Sequence, residues 1–132
     1  MKIEKQVCSL EQSKRLVGLG IECNSFFMWH IGGITGEWIV IDSVNSNITN
    51  EDLPAFTAAE LIKMNGDNFG IDISVLKDKK GKFYMQTGGF GKENDAEFTY
   101  YNCFSEASAA KLINALENEW LSVEACNERL LE

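Results

Sequence analysis

The sequence is short of the residues that most often build an enzymatic or metal site. It has one histidine, His30, and one proline, Pro54, in 132 residues. Its four cysteines, Cys8, Cys23, Cys103 and Cys126, form no C-x-x-C pair, so no structural zinc site is predicted. No apolar run approaches the roughly 18–20 residues of a membrane span. Met1 to Leu10 has no apolar core of a secretion signal. These absences predict a cytoplasmic chain without membrane contact. They also predict reduced thiols that serve as small core residues. Basic residues are scarce as well: 12 Lys and Arg against 20 Asp and Glu give a net charge of −8. Sequence-independent binding to nucleic acid rests on neutralising phosphates, which makes nucleic acid a poor partner for such a chain.

What is present is an ordinary folding composition. Hydrophobic residues make up 45% and charged residues 24%, which predicts one domain, 1–132, with a single core. The clearest element is Ser105–Glu132. At 100° per residue Ala109, Leu112, Ile113, Leu116, Trp120 and Val123 share one stripe, and Leu130 and Leu131 return to it. Lys111, Asn114, Asn118 and Ser122 lie opposite. Ser105 is the expected N-cap of a long amphipathic helix.

Upstream, Ser9 with Gln12 three residues on is a capping-box pattern, and Gly20 is the expected C-terminal cap of a first helix. Ser25–Ile31 and Glu37–Asp42 read as strands joined through Gly32–Gly36 into a hairpin. Leu53-Pro54-Ala55 is extended, because proline disfavours helix at the residue before it. Thr57-Ala58-Ala59-Glu60 is a full capping box that opens a second helix, ended by Asn65-Gly66. Ile71–Leu76, Phe83–Thr87 and Glu97–Phe104 read as three further strands. The order α-β-β-α-β-β-β-α predicts an α+β fold. Its sheet is antiparallel with about five strands, and three helices pack on it. Phe26, Met28 and His30 alternate with Phe27, Trp29 and Ile31, so both faces of the first strand carry large side chains. Either helices cover both faces or another chain covers one.

No constellation of catalytic, cofactor-binding or metal-binding residues stands out. A Cys–His nucleophile would have to use His30 with one of the cysteines. Lys77, Lys79, Lys80 and Lys82 beside Phe83 and Tyr84 combine the ingredients of single-strand binding, but equally those of a solvated hairpin tip. Thr87–Lys92 fails as a phosphate loop, since Glu93 stands where Ser or Thr is needed.

Three segments carry a resemblance: Val7-Cys8-Ser9-Leu10-Glu11-Gln12-Ser13, Leu53-Pro54-Ala55-Phe56-Thr57-Ala58-Ala59-Glu60-Leu61 and Glu106-Ala107-Ser108-Ala109-Ala110. Together they resemble small proteins, without an assigned activity, encoded by phages and mobile elements of gut Bacteroidetes. The resemblance implies an intracellular accessory protein and transfers no functional residue. The expected function is a non-catalytic interaction module with an unidentified protein partner and no cofactor. The alternatives are a small enzyme or ligand binder using His30 and a cysteine, or a nucleic-acid accessory using the Lys77–Lys82 tip. A homodimer is also expected. A continuous helix from Glu106 would be about 39 Å long at ~1.5 Å per residue. That exceeds the roughly 36 Å diameter of a domain of this size. Trp120, Val123, Leu130 and Leu131 are then the interface candidates, unless a bend near Ser122 folds the leucines back.

Overall fold

The computed structural model describes residues 3–22, 24–44, 48–66, 73–77, 83–87, 97–101 and 103–131; for the three segments between 73 and 101, and for residue 131, the description is of the backbone. A short 3-10 turn, Ile3–Lys5, precedes helix α1, Leu10–Leu19. Ser9 Oγ accepts from the Gln12 N–H at 3.2 Å, and Gln12 Oε1 accepts from the Ser9 N–H at 3.1 Å. The expected capping box is therefore complete. Gly20, at φ 111°, closes the helix with its N–H turned back to Leu16 and Val17.

Strands β1 (Phe27–Ile31), β2 (Trp38–Asp42) and β3 (Leu53–Pro54) follow, then helix α2 (Ala58–Asn65). The Thr57–Glu60 capping box is formed in both directions. Strands β4 (Ile73–Lys77), β5 (Phe83–Thr87) and β6 (Glu97–Tyr101) lead to α3 (Phe104–Glu117) and α4 (Val123–Leu131). The fold is α+β, but the expected single sheet is replaced by two antiparallel sheets of three strands, ordered β2-β1-β3 and β4-β5-β6. The extended Leu53-Pro54 segment is the unexpected strand. Ala55 N–H donates to Phe27 O at 2.9 Å, and Pro54, which has no N–H to offer, lies on the outer edge. Lys77 pairs with Phe83, so the expected Lys-rich hairpin exists, while its tip at 78–82 lies outside the described residues.

The long final helix is two helices. Trp120 N–H bonds to Ala115 O at 2.9 Å and Glu119 N–H bonds to Leu116 O at 3.2 Å, the two reversed bonds of a Schellman turn. Glu119 occupies the left-handed position at φ 59°, where glycine is usual. Without a glycine, periodicity alone reads straight through the break. Ser122 Oγ then accepts from Ala125 N–H at 3.1 Å and starts α4. The N-cap of α3 is likewise not Ser105 but Cys103, with no side-chain cap; the Ser105 hydroxyl donates instead to Gln6 O at 2.7 Å.

The core gathers Leu16 of α1, Phe56, Leu61 and Met64 around α2, Ala109, Leu112 and Leu116 of α3 and Cys126 of α4. α3 runs against α1 and α2 and also against all three strands of the second sheet. An element covered on more than one side has little polar face. Lys111, expected to be solvent-facing, is accordingly buried. Val123 and Leu130 pack on the core, so the bend at Glu119 removes the overhang, one of the two grounds of the dimer expectation; the other is the first strand with large side chains on both faces. Trp120, at the bend, is 59% exposed. Arg129 of α4 donates from Nη1 to Met64 O at 3.0 Å, which ties the α2 C-terminus to α4. Gly66 is required beside it: it has φ 59°, and a Cβ there would strike the Arg129 guanidinium.

Candidate site on the open sheet face

Register divides the first sheet into two unlike faces. Phe27, Trp29 and Ile31 share one face with Trp38, Val40 and Asp42. The chain's own N-terminal segment reaches part of that face, whose residues are half-buried: the Trp29 indole N–H donates to Cys8 O at 3.1 Å, and the Lys14 ammonium of α1 sits 5.7 Å from the centre of the Trp38 ring. Met28 and His30 share the other face with Ile39 and Ile41. Met28 is buried, but Ile39 is 47% exposed. None of the five residues of β2 is buried.

His30 lies on this open face. Its Nδ1 is 2.7 Å from Oδ1 of Asp52, whose side chain is almost wholly buried. The second carboxylate oxygen of Asp52 accepts from the Thr49 N–H at 3.0 Å. Burial alone would raise the Asp52 pKa. The Thr49 N–H and the His30 ring outweigh it and hold the carboxyl below its ordinary range. The ionised Asp52 therefore favours the fold at neutral pH, and this contribution fades as acid protonates it below about pH 4. An ionised Asp52 also places the proton of a neutral His30 on Nδ1, leaving Nε2 as the free acceptor.

A His–Asp pair of this geometry serves as base and orienter in nucleophilic triads when a nucleophile stands at Nε2. The nucleophile half is not assembled among the described residues. Cys8 is buried, its Sγ lies 3.2 Å from Ser13 Oγ, and burial pushes its thiol up to about 11. Burial also raises the Cys103 thiol, and the Glu106 carboxylate 3.7 Å from its Sγ adds to the effect. Cys126 is buried in the core. Cys23 lies outside the described residues. No group of three or more His, Cys, Asp or Glu among the described residues is arranged to hold a metal, and no described helix is long and apolar enough to cross a membrane.

The thiols make a direct prediction. In native buffer Cys8, Cys103 and Cys126 should resist a disulfide reagent, because all three are buried and burial holds the Cys8 and Cys103 thiols protonated as well. Denatured without reductant, the chain should titrate as four thiols; two or none would contradict free cysteines.

Of the interface candidates near the C-terminus, Trp120 is exposed and Val123 and Leu130 are partly buried against the core, while the Leu131 side chain lies outside the described residues. A different cluster is exposed. Among the described residues seven large hydrophobics stand out in solvent, and five of them, Phe26, Ile34, Ile39, Val44 and Ile48, lie on or beside the β1–β2 hairpin. The same stretch has a charge signature that sequence inspection could have found. Residues 16–62 contain no Lys or Arg, but carry Glu22, Glu37, Asp42, Glu51, Asp52 and Glu60. Comparison with protein-family models, curated proteins and solved structures finds no match for the chain.

Proposed function

We propose that the protein is an interaction module, of the accessory kind its phage-like sequence resemblance implies, whose contact surface is the open face and tip of the β1–β2 hairpin. The observation that carries this is the concentration of exposed apolar side chains there, led by Ile34 at 102% and Val44 at 68% exposure. Grouped apolar exposure marks contact surfaces, whereas single exposed residues need no explanation. The acidic surroundings specify the complement: an apolar patch on the partner rimmed by Lys and Arg.

Ile34→Glu is the test, because a fully exposed tip residue can change without disturbing packing. In quantitative capture from lysate, a protein recovered by the natural chain and by Trp120→Ser, but lost with Ile34→Glu, is the expected result. Equal recovery by both variants would overturn the hairpin assignment. Loss only with Trp120→Ser would move the contact to the α3–α4 turn.

The His30–Asp52 pair supports a second reading, a small enzyme or ligand binder. It predicts a ligand whose binding weakens on His30→Ala but is untouched by Ile34→Glu.

A further inference from the structure

Asn65 is buried at the end of α2, yet neither polar atom of its carboxamide has a hydrogen-bond partner among the described residues. Buried amides are almost always bonded, because an orphaned donor or acceptor loses its hydration for nothing. A leucine of similar volume would fill the same place without that loss. The following residue is fixed for a reason of its own. Gly66, at φ 59° and ψ −136°, holds a conformation that side chains rarely adopt, and a Cβ on it would strike the Arg129 guanidinium. Asn65-Gly66 is the single Asn-Gly link in a sequence of eleven asparagines. Its carboxamide is tethered by no hydrogen bond, and no side chain shields the next backbone nitrogen. That pairing is the one most open to attack by the backbone on the side chain, the reaction that makes asparagine thermolabile.

We infer that Asn65–Gly66 is a site of spontaneous covalent modification, gated by Arg129 of α4. The Gly66 amide nitrogen gives its proton to solvent and attacks Cγ of Asn65. A C–N bond forms and closes a five-membered succinimide. The bond from Cγ to Nδ2 breaks, and Nδ2 takes up a proton and leaves as ammonia. Water then adds to one of the two ring carbonyl carbons and cleaves its bond to the Gly66 nitrogen, which regains a proton. Cleavage at Cγ gives aspartate. Cleavage at the backbone carbonyl gives isoaspartate, in which the main chain runs through Cβ and Cγ. Nothing is oxidised or reduced, and water is the co-reactant.

The folded end of α2 restrains this reaction at two points. The Gly66 N–H is donated to Ile62 O, so the nitrogen keeps its proton. Ring closure also requires ψ of Asn65 to leave the helical value of about −42°. Arg129 opposes that rotation, because its Nη1 donates to Met64 O at 3.0 Å and its guanidinium lies against Gly66. The reaction therefore runs from the state in which the last turn of α2 has opened, and the Arg129 contact sets how often it opens. The product favours that opened state. A carboxylate replaces a neutral amide in a buried place, at a helix C-terminus where the dipole disfavours negative charge. Isoaspartate also adds a carbon to the main chain. Either product loosens α2 from α4, against which it packs, and the released ammonia makes the change one-way.

The test holds the full chain in warm neutral buffer and follows residue 65 by peptide mapping, with enzymatic methylation to count isoaspartate. The natural chain should form product at residue 65. Arg129→Ala should form it roughly tenfold faster or more, the effect of losing a bond to a charged donor on how often the turn opens. The other asparagines should convert at the same rate in both chains. Asn65→Gln keeps a carboxamide but would have to close a six-membered ring, and should form no product there. Ser9→Ala weakens the α1 cap and should leave the rate at residue 65 unchanged; acceleration equal to that of Arg129→Ala would assign the reaction to global unfolding and overturn the gate. A residue 65 that stays an amide in both chains, or converts at one rate in both, overturns the inference. Should Arg129→Ala fail to fold, the natural chain in graded sub-denaturing urea decides. Conversion should then quicken in step with hydrogen exchange of the Gly66 amide, and a rate independent of that exchange overturns the gate. Asn65→Asp, made directly, should lose exchange protection in α2 and α4 while α1 keeps its own; unchanged protection would overturn the loosening.

Discussion

Phe56→Ala is expected to lower the unfolding free energy by about 3–5 kcal/mol, the usual range for emptying a phenylalanine site in a closed core. Among the described residues Phe56 heads the fully buried side chains by volume and has no exposed surface. It sits between β3 and α2, where its carbonyl also accepts from Cys8 N–H at 2.8 Å. That backbone bond holds the segment in place, so the site cannot collapse easily around a smaller side chain. Its cluster includes residues from all four helices, and the void would be felt by each. Domains of this class have roughly 5–15 kcal/mol in total, so the variant should be near its limit at 37 °C. A denaturant melt with unchanged slope and a shifted midpoint is the expected record. A loss under about 1 kcal/mol would mean that Phe56 is not in a closed core.

Glu60→Ala should be the second largest effect, about 2–3 kcal/mol, well beyond the ~1 kcal/mol expected of Thr57→Ala, which removes only the cap. The difference lies in what the Glu60 carboxylate joins. It accepts from Thr57 N–H at 2.9 Å within the capping box, from Ser25 Oγ at 2.6 Å and from Phe26 N–H at 3.2 Å. The last two belong to the chain leading into β1, so one charge in the first turn of α2 pins the hairpin to the helix. Ser25 is buried, and without the carboxylate its hydroxyl keeps Ala55 O at 2.9 Å as acceptor and the Phe27 N–H at 3.2 Å as donor. Glu60→Gln keeps an acceptor without the charge and should fall between the two. If Glu60→Ala were no worse than Thr57→Ala in a denaturant melt, the bonds to Ser25 and Phe26 would contribute nothing. Because the hairpin carries the proposed contact surface, Glu60→Ala should also weaken partner capture, whereas Thr57→Ala should not.

Both variants bear on what was legible in advance. Thr57 and Glu60 are three residues apart, and their mutual bonds form wherever the segment turns helical. The same holds for Ser9 with Gln12 and for Gly20 at the end of α1. The β1–β2 hairpin was equally visible, since alternating large residues on either side of a Gly-rich turn have few other local solutions. The role of Glu60 toward Ser25 and Phe26 was not visible, because those partners are 35 and 34 residues away. His30 is the lone histidine of the sequence, but nothing local ties it to Asp52, 22 residues away.

The sequence by itself determined where α1 and α2 begin, which stretches alternate as strands, and the α+β class, because these follow from bonds and periodicities within a few residues. Tertiary structure decided the rest. It split the strands into two sheets once Leu53–Pro54 took the β1 edge. It broke the last helix at Glu119, where packing of Val123 and Leu130 on the core favours a left-handed residue that no glycine announces. It buried Lys111 by covering α3 on more than one side, and it brought the N-terminal segment to part of one face of β1 and β2 while leaving Ile39 exposed on the other. The physical reason is common to all four: which side of an amphipathic segment meets solvent depends on what packs against it, and the distant segment that does so is not encoded in the local pattern.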